Sequence, residues 1–291
     1  MTAPNPARRR VVFLDFDGTY AMHGVVPDAH AEAVRRARAN GHDVLLCTGR
    51  PLSILAPAVT EAFDGIVSSA GARVDIDGQV LCDHRYPPEL ARRTVDVLEA
   101  NGVAYCLEAP DAMYTPASGI ERLREQIERL LRATDERRDA SGPHDIYAAL
   151  TVPDDLRACS FAKVSVWDSP VGVEELAARI GAGVRPLPNS VSGDATRSGE
   201  LQLADVDKAD GVALVARRLG LGIEDTVGAG DGMNDVGMLA ITGTSIGIEG
   251  SPAAVLEHAD LVVPRPEQHG LVEAFERLGL LDDARLEDSR A

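Results

Sequence analysis

The chain has 291 residues, enough for two domains or for one large domain with a substantial core. Its formal net charge of −17 argues against non-specific binding to nucleic acid or to anionic membranes. No apolar run approaches the roughly 20 residues that a membrane helix needs, and residues 1–10 lack the apolar stretch of a signal peptide. The four cysteines are far apart and show no zinc-binding or CxxC spacing, so we predict reduced thiols in a cytoplasmic protein.

The start of the chain alternates strands and helices. The apolar run Val11-Val12-Phe13-Leu14 predicts a buried strand over residues 10–16. Further predicted elements are a helix at 27–40, a strand at 43–47, a helix at 51–63 and a strand at 65–68. This βαβαβ order implies a parallel sheet with helices on its faces. Next, Asp77-Gly78 between alternating apolar residues predicts a β-hairpin over 73–82.

The middle of the chain has a different pattern of predicted elements. The patterns predict helices at 87–100, 119–133 and 172–180, a polar loop at 134–144, and strands at 103–108, 146–152, 163–167, 183–187, 190–193 and 200–203. We interpret the dense charged face of helix 119–133 as a solvated surface, since such faces are ordinary on amphipathic helices. This region is expected to form an α/β unit with a more antiparallel sheet.

The alternating pattern returns at Lys208. It predicts helices at 208–219, 234–240, 252–258 and 268–278, strands at 226–229, 244–248 and 261–263, and a disordered tail from Asp282. The simplest architecture is an α/β fold whose parallel-sheet core is made from both ends of the chain, residues 1–85 and 204–291. Residues 86–203 then form an inserted domain.

Four groups of polar residues lie beside ends of predicted core elements. They are Asp15 with Asp17, Thr48-Gly49-Arg50, Lys208, and Gly230-Asp231-Gly232-Met233-Asn234-Asp235. Because the carboxyl ends of parallel strands share one edge of the sheet, we expect these groups to meet there.

The residue types in these groups suit phosphate chemistry. Three carboxylates (Asp15, Asp17 and Asp231) suit a hard divalent cation, above all magnesium. A threonine hydroxyl, exposed backbone N–H groups, a lysine and an asparagine suit phosphate oxygens. One carboxylate can attack phosphorus to form an aspartyl-phosphate, and a second can donate a proton to the leaving oxygen and later take one from water.

Each motif alone has a simpler explanation. Asp15-x-Asp17-Gly18 would open a calcium loop only with glycine at position 6 and glutamate at position 12, whereas Gly18 is at position 4 and Val26 at position 12. Thr48 and Asn234 taken singly are ordinary helix N-caps, Lys208 is a surface lysine, and Gly-Asp-Gly is a turn. Their joint occurrence favours a functional site.

With these motifs in this order, the chain resembles the haloacid dehalogenase (HAD) superfamily of phosphohydrolases, in particular its Cof-type branch. The matches to the four family motifs are Asp15-x-Asp17-Gly18-Thr19, Thr48-Gly49-Arg50, Lys208 and Gly230-Asp231-x-x-Asn234-Asp235. The turn Ser69-Ala70-Gly71-Ala72 resembles the Asn-Gly-Ala turn that precedes the cap in that branch, without its asparagine. The resemblance implies a Rossmann-like core and an inserted α/β cap that sets substrate specificity.

The resemblance also implies a role for each motif residue. Asp15 would be the nucleophile and a magnesium ligand, and Asp17 the general acid/base whose backbone carbonyl also binds the metal. Asp231 would be a further metal ligand. The phosphate would be bound by Thr48, Gly49, Lys208 and Asn234, and Asp235 would orient Lys208.

The implied function is a magnesium-dependent phosphatase that hydrolyses small phosphorylated metabolites, such as sugar phosphates, through an aspartyl-phosphate. One alternative is a phosphomutase or phosphotransferase that uses the same intermediate. A remote alternative is a non-enzymatic metabolite-binding module, whose expected sign would be loss of Asp15, Asp17 or Asp231; all three are present. A small phosphorylated metabolite is the expected partner, with no nucleic acid and no membrane.

Overall fold

The computed structural model describes residues 9–133, 143–188 and 197–282, and these form two compact units. Among the described residues, the first unit comprises 9–49, 57–81 and 207–282, and the second comprises 50–56, 82–133, 143–188 and 197–206. Residues 50–56, 82–85 and 204–206 were predicted in the core, whereas they belong to the second unit. The assignment of the two units as catalytic core and cap stays a prediction.

Strands and helices alternate through most of the described chain. The strands are β1 (Val11–Leu14), β2 (Asp43–Cys47), β3 (Gly65–Ser68), β4 (Arg73–Ile76), β5 (Gln79–Asp83), β6 (Ala104–Glu108), β7 (Met113–Tyr114), β8 (Leu150–Thr151), β9 (Lys163–Asp168), β10 (Val184–Pro188), β11 (Gly199–Leu203), β12 (Thr226–Gly230), β13 (Thr244–Ile248) and β14 (Leu261–Val263). The helices are α1 (Asp28–Ala39), α2 (Pro57–Thr60), α3 (Pro88–Ala100), α4 (Ile120–Ala133), α5 (Pro143–Ala149), α6 (Val173–Ile180), α7 (Lys208–Leu219), α8 (Val236–Ile241), α9 (Ala253–Leu256) and α10 (Gly270–Arg277).

The first unit is built on a sheet with the order β14-β13-β12-β1-β2-β3-β4-β5. The strands from β14 to β3 run parallel, and β4 pairs antiparallel with β3. Leu14 of β1 lies opposite Leu46 of β2 and Ala229 of β12, so the residues after these three strands reach the same sheet edge. The predicted α/β fold with a parallel-sheet core is confirmed.

The predicted hairpin at the end of this sheet is also confirmed. Asp77 and Gly78 join β4 to β5 with φ angles of 52° and 69°. Positive φ at both central residues is the requirement of a type I′ turn, which Asp-Gly meets at low cost because glycine has no Cβ.

The second unit has a sheet with the order β10-β11-β9-β6-β7-β8, antiparallel except where β7 pairs parallel with β8. Tyr105, Leu107, Val164 and Leu201 belong to one apolar cluster with buried side chains of α3 and α6. Because successive strand residues point to opposite faces of the sheet, Glu108 and Lys163 project from the face opposite to this apolar cluster.

Those polar residues form a buried group of charges. The Lys163 ammonium lies 2.9 Å from Glu200 Oε1 and 3.3 Å from Glu108 Oε2, and Glu108 and Lys163 are opposite each other in the β6–β9 pair. The side chains of Lys163 and Glu108 are 2% and 4% exposed. Burial raises the pKa of Glu108 to about 7. The charge of Lys163 lowers this pKa in part, and the negative charge of Glu200 raises it again.

We expect Glu108→Gln to remove a pH dependence of stability. The folded-state pKa of about 7 lies above the ordinary value of 4.5, so the Glu108 contribution is fully present below pH 4.5 and is lost as the pH rises through about 7. The free energy of unfolding of the native chain, relative to that of the variant, should therefore fall over this interval. Chemical denaturation of both proteins at several pH values measures it, and parallel pH curves would contradict the expectation.

The prediction of one helix over residues 51–63 is wrong. The segment forms a 3₁₀ turn at Leu52–Ile54 and the short helix α2, separated by extended backbone at Leu55. Pro57 disfavours helical backbone at the residue before it, which breaks the helix. In addition, the Ser53 hydroxyl donates a hydrogen bond to the Ala109 carbonyl at 2.8 Å, a long-range contact of the second unit.

The prediction of a strand over residues 146–152 is also wrong for most of its length. Helix α5 occupies Pro143–Ala149, and only Leu150–Thr151 are extended. Proline is favourable at a helix start, and Ile146 and Ala149 pack against a cluster that includes Cys106 and Leu123.

Several other predictions need smaller corrections. His144, predicted in a loop, lies in α5. The rest of that loop, apart from Pro143, lies outside the described residues, as do the predicted strand at 190–193 and the tail after Asp282. The helices predicted at 234–240, 252–258 and 268–278 are shorter in the structure, and 3₁₀ turns precede the first and the third. No helix within the described ranges is long and apolar enough to cross a membrane.

Candidate active site

Asp15 is the first residue after the central strand β1. Its backbone N–H donates to the Ala229 carbonyl of β12 at 2.9 Å, which extends the ladder by one residue and holds the side chain at the sheet edge. Its Oδ1 accepts a hydrogen bond from the Lys208 ammonium at 2.6 Å. The residue is 5% exposed, so this is a buried carboxylate at the point where the sequence predicted a site.

The turn after Asp15 approaches the loop after β12. Gly18 has a φ of 85°, and a Cβ at this position would overlap the Asp231 carboxylate. The hydroxyl of the buried Thr19 donates to Asp231 Oδ1 at 2.9 Å. Residues more than 200 positions apart are therefore held against each other, and glycine is required at position 18 for both its φ and its small size.

Lys208 is the first residue of α7 and lies between two carboxylates. Its Nζ donates to Asp15 Oδ1 and to Asp235 Oδ1, each at 2.6 Å, and the side chain is fully buried. The second oxygen of Asp235 accepts the backbone N–H groups of Asp231 and Gly232 at 3.1 and 2.9 Å. Asp235 thus orients the lysine and fixes the loop after β12 at the same time.

The start of α7 is fixed by Asp207. Its side chain accepts the Ala209 N–H at 3.0 Å, and the Asp210 side chain accepts the Asp207 N–H at 3.1 Å, which is a capping box. The Asp207 carboxylate also lies against Gly237 of α8, where a Cβ would overlap it. No role was predicted for Asp207 from the sequence.

The remaining predicted residues lie on neighbouring loops of the same edge. Thr48 follows β2, is 1% exposed, and its N–H donates to the Val67 carbonyl at 2.8 Å. Gly49 follows it and is partly exposed, as is Asn234 in the 3₁₀ turn after Asp231.

The pKa values in this cluster reflect crowded negative charge. Burial raises the pKa of Asp15 well above its ordinary value, and the charge of Asp235 raises it further against the effect of Lys208. Burial and then Asp235 raise the pKa of Asp231 to about 6, and Asp17 adds to this shift. Burial disfavours the Lys208 ammonium, but Asp15 and Asp235 outweigh it and raise the pKa of Lys208.

The donor chemistry of the cluster fits a hard divalent cation. Carboxylate oxygens of Asp15, Asp231 and Asp235 all lie within 4.8 Å of one another. Asp235 is already committed to Lys208 and to two N–H groups, whereas Asp15 and Asp231 each commit one oxygen to a protein donor. The buried Asp15 carboxylate and the partly buried Asp231 carboxylate both have raised pKa values, and such oxygen-only donors favour magnesium over a soft metal.

Sequence reasoning missed two features of this edge. Thr19 was quoted within the first motif but given no role, although its place two residues after Asp17 was a signal. The second feature is the turn Ser69–Gly71 after β3, whose three residues have φ angles of 49°, 54° and 102°. Serine and alanine have no preference for positive φ, so no local signal predicts this conformation.

The chain matches known proteins over most of its length. The sequence profile of haloacid dehalogenase-like hydrolases matches residues 12–275. Phosphatase YwpJ of Bacillus subtilis (strain 168) is 22% identical over 286 residues, which cover 92% of this chain and 99% of YwpJ.

Two solved structures share the fold. The HAD subclass IIB sugar phosphatase BT4131 has a TM-score of 0.74 at 18% identity, over 93% of this chain and 99% of its own. The HAD superfamily phosphatase BT1666 from Bacteroides thetaiotaomicron has a TM-score of 0.74 at 20% identity, over 94% and 96%.

Because the family profile covers most of the chain, the chain belongs to the haloacid dehalogenase-like hydrolase family. The resemblance drawn from the four motifs is thereby confirmed, and the protein is an enzyme of this hydrolase family.

Proposed function

We propose that the chain is a magnesium-dependent phosphatase that hydrolyses small phosphorylated metabolites through an aspartyl-phosphate on Asp15. The observation that carries the proposal is the Lys208 ammonium held 2.6 Å from both Asp15 and Asp235, with Asp231 in the same cluster. A nucleophilic carboxylate beside a buried cation suits phosphoryl transfer through a covalent intermediate.

The proposed reaction has two displacements. In the first, an Asp15 carboxylate oxygen attacks phosphorus, the ester P–O bond breaks, and Asp17 donates a proton to the leaving oxygen. In the second, Asp17 takes a proton from water, the water oxygen attacks phosphorus, and phosphate leaves as the Asp15 carboxylate is restored. Thr48, Lys208, the Gly49 N–H and Asn234 hold the phosphoryl oxygens in both steps.

Magnesium is expected at the Asp15 and Asp231 carboxylates and the Asp17 carbonyl. When bound, it supplies charge stabilisation to the phosphoryl oxygens. Thr19 holds Asp231 in place for this role through its 2.9 Å hydrogen bond, and Gly18 leaves room for the carboxylate.

Sugar phosphates are the proposed substrate class. The sugar phosphatase BT4131 shares the fold over nearly the whole chain, and YwpJ is named a phosphatase. We assign the chemistry to the first unit and the choice of leaving group to the second, which is inserted between the second and third motifs. The protein is proposed to act on metabolites in the cytoplasm.

Removal of the metal tests the proposal. We expect release of inorganic phosphate from p-nitrophenyl phosphate and from a panel of sugar phosphates in magnesium buffer. EDTA should lower the rate at least about 100-fold, because the metal stabilises transition-state charge, and added magnesium should restore it. A phosphate assay of each substrate with magnesium, with EDTA, and after re-addition makes the measurement.

Two outcomes would redirect the assignment. An isomerised phosphate ester without inorganic phosphate would identify a phosphomutase that uses the same nucleophile. Equal rates with EDTA and with magnesium would contradict the metal assignment, and binding of the esters without turnover would favour the non-enzymatic module.

A further inference from the structure

The turn Ser69–Gly71 lies at the carboxyl edge of the core sheet in an unfavourable conformation. Ser69 and Ala70 have side chains and positive φ angles of 49° and 54°, followed by Gly71 at 102°. Ser69 is 4% and Ala70 1% exposed. Consecutive non-glycine residues in the left-handed region cost free energy, and such strain persists only where the surroundings determine the conformation.

One contact of this turn is to the second motif. The Ala70 N–H donates to the Thr48 carbonyl at 3.0 Å, and the Thr48 N–H donates to Val67 of β3 at 2.8 Å. Both backbone groups of Thr48 are therefore bound to β3 or to the turn that follows it. A shift of Ala70 would move the Thr48 backbone directly.

The other contact is to the start of α7. Gly71 lies so close to Asp207 that a Cβ would overlap the Asp207 carbonyl and would stand 2.8 Å from the backbone nitrogen of Lys208. Asp207 is the N-cap of α7, and the next residue, Lys208, carries the ammonium between Asp15 and Asp235. The backbone of Gly71 therefore sets the position at which the lysine enters the cluster.

We propose that Ala70 and Gly71, in the strained turn Ser69–Gly71, are positioning residues that place Thr48 and Lys208 relative to Asp15 for phosphoryl transfer. The proposal rests on the proposed function for its kinetic consequence. The strained turn connects the second and third motifs through backbone contacts, which do not depend on side-chain rotamers. Its effect on Lys208 is measurable without turnover.

The test compares Gly71→Ala with a matched control, Gly78→Ala. Gly78 has a φ of 69°, and nothing lies within 4 Å of its Cβ position. Both variants therefore impose left-handed backbone on alanine, but only Gly71→Ala collides with Asp207. We expect kcat for p-nitrophenyl phosphate in Gly71→Ala to fall about 100-fold below that of Gly78→Ala, since misplacement near 1 Å has this effect. KM should change by a smaller factor than kcat, because only the phosphoryl contacts of Thr48 and Lys208 are displaced and the leaving-group contacts are not altered.

A spectroscopic readout separates positioning from a purely structural role. Lys163 and Lys208 are the only lysines among the 29 Lys and Arg residues. In protein labelled with ¹³C at lysine Cε, Lys208 reports on the cluster and Lys163, in the second unit, is an internal reference. We expect Gly71→Ala to shift the Lys208 signal while Lys163 stays in place, and Gly78→Ala to move neither.

If folded Gly71→Ala shows the same kcat and Lys208 signal as Gly78→Ala, the proposal is overturned. If Gly71→Ala does not fold, Ala70→Gly decides, since glycine accepts the φ of 54° and keeps the N–H donor to Thr48. Here kcat should fall about tenfold with a broadened Lys208 signal, because glycine allows other backbone conformations; unchanged values overturn the proposal. If the wild-type chain releases no phosphate, the proposed function fails, but the Lys208 signal still tests the turn.

Discussion

Asp15→Asn is expected to lower kcat by at least about 10⁴-fold, which would be indistinguishable from no turnover in an ordinary phosphate assay. Asparagine keeps the shape of the side chain and an oxygen that can accept the Lys208 hydrogen bond. It lacks the negative charge that attacks phosphorus, so no acyl-phosphate can form. A loss of turnover in this variant would therefore report the missing nucleophile and not a change in side-chain packing.

Stability should survive this substitution. Burial raises the pKa of Asp15, which means that its ionised form is costly in the folded chain, and the amide removes that cost while losing attraction to Lys208. Asp28→Asn is the matched control, since it makes the same change at an exposed residue in the first turn of α1. Parallel assays of phosphate release and thermal unfolding make the comparison. Turnover of Asp15→Asn within tenfold of the control would remove Asp15 from the nucleophile position.

The parts of the fold that the sequence predicted well are those with strong local signals. Strand β1 is a run of four apolar residues, all buried, and α7 begins at Lys208 behind an Asp207 cap and ends at Gly220, which has a left-handed φ of 71°. The Asp77-Gly78 turn has a positive φ at both residues. In each of these elements, local chemistry and tertiary packing favour the same conformation.

The parts that were predicted wrongly depend on contacts from distant residues. Residues 51–56 have apolar spacing that suits a helix, but the Ser53 hydroxyl binds the Ala109 carbonyl and Ile54 packs against Cys106. Residues 146–149 have β-branched and aromatic content, but α5 packs them as a helix against the cluster that includes Leu123. A tertiary partner overrides a weak local preference in both segments.

The candidate site likewise has features that the sequence predicted and features that it did not. The residues that meet at the sheet edge were predictable because carboxyl ends of parallel strands converge, and Asp15, Lys208, Asp231 and Asp235 do converge. Their environment was not predictable. The raised pKa of Asp231, to about 6, depends first on burial and then on Asp235, and neither is visible in a motif.

Each of the two units contains one lysine. Only Lys163 and Lys208 are lysines; the chain's other long cationic side chains are arginine. Both are buried, and each lies between two carboxylates. An ammonium is compact enough to be enclosed by two carboxylates, whereas the guanidinium needs room for five donors. We infer that the two positions select lysine for the same steric reason.

Lys163→Met is accordingly expected to destabilise the second unit by about 3–5 kcal/mol. Methionine fills a similar volume, so the cost comes mainly from Glu108 and Glu200, which would remain next to each other in a buried sheet without a cation. Glu108 can relieve this repulsion by taking up a proton, because its pKa is already raised to about 7 with Lys163 present. The destabilisation should therefore be larger at pH 8 than at pH 5. Chemical denaturation followed by Trp167 fluorescence reports on this unit, since Trp167 lies in β9.

A triple variant separates the value of the ion group from the cost of breaking it. Replacing Lys163, Glu108 and Glu200 by Met, Leu and Leu leaves no uncompensated charge, and apolar replacement of a buried ion group is commonly neutral or stabilising. We expect this variant to recover most of the stability lost in Lys163→Met and to lose the pH dependence. If instead the triple variant is as unstable as the single one, the three charges contribute net stability to the sheet. The buried lysine would then be explained by folding energy, and the desolvation argument for this group would be wrong.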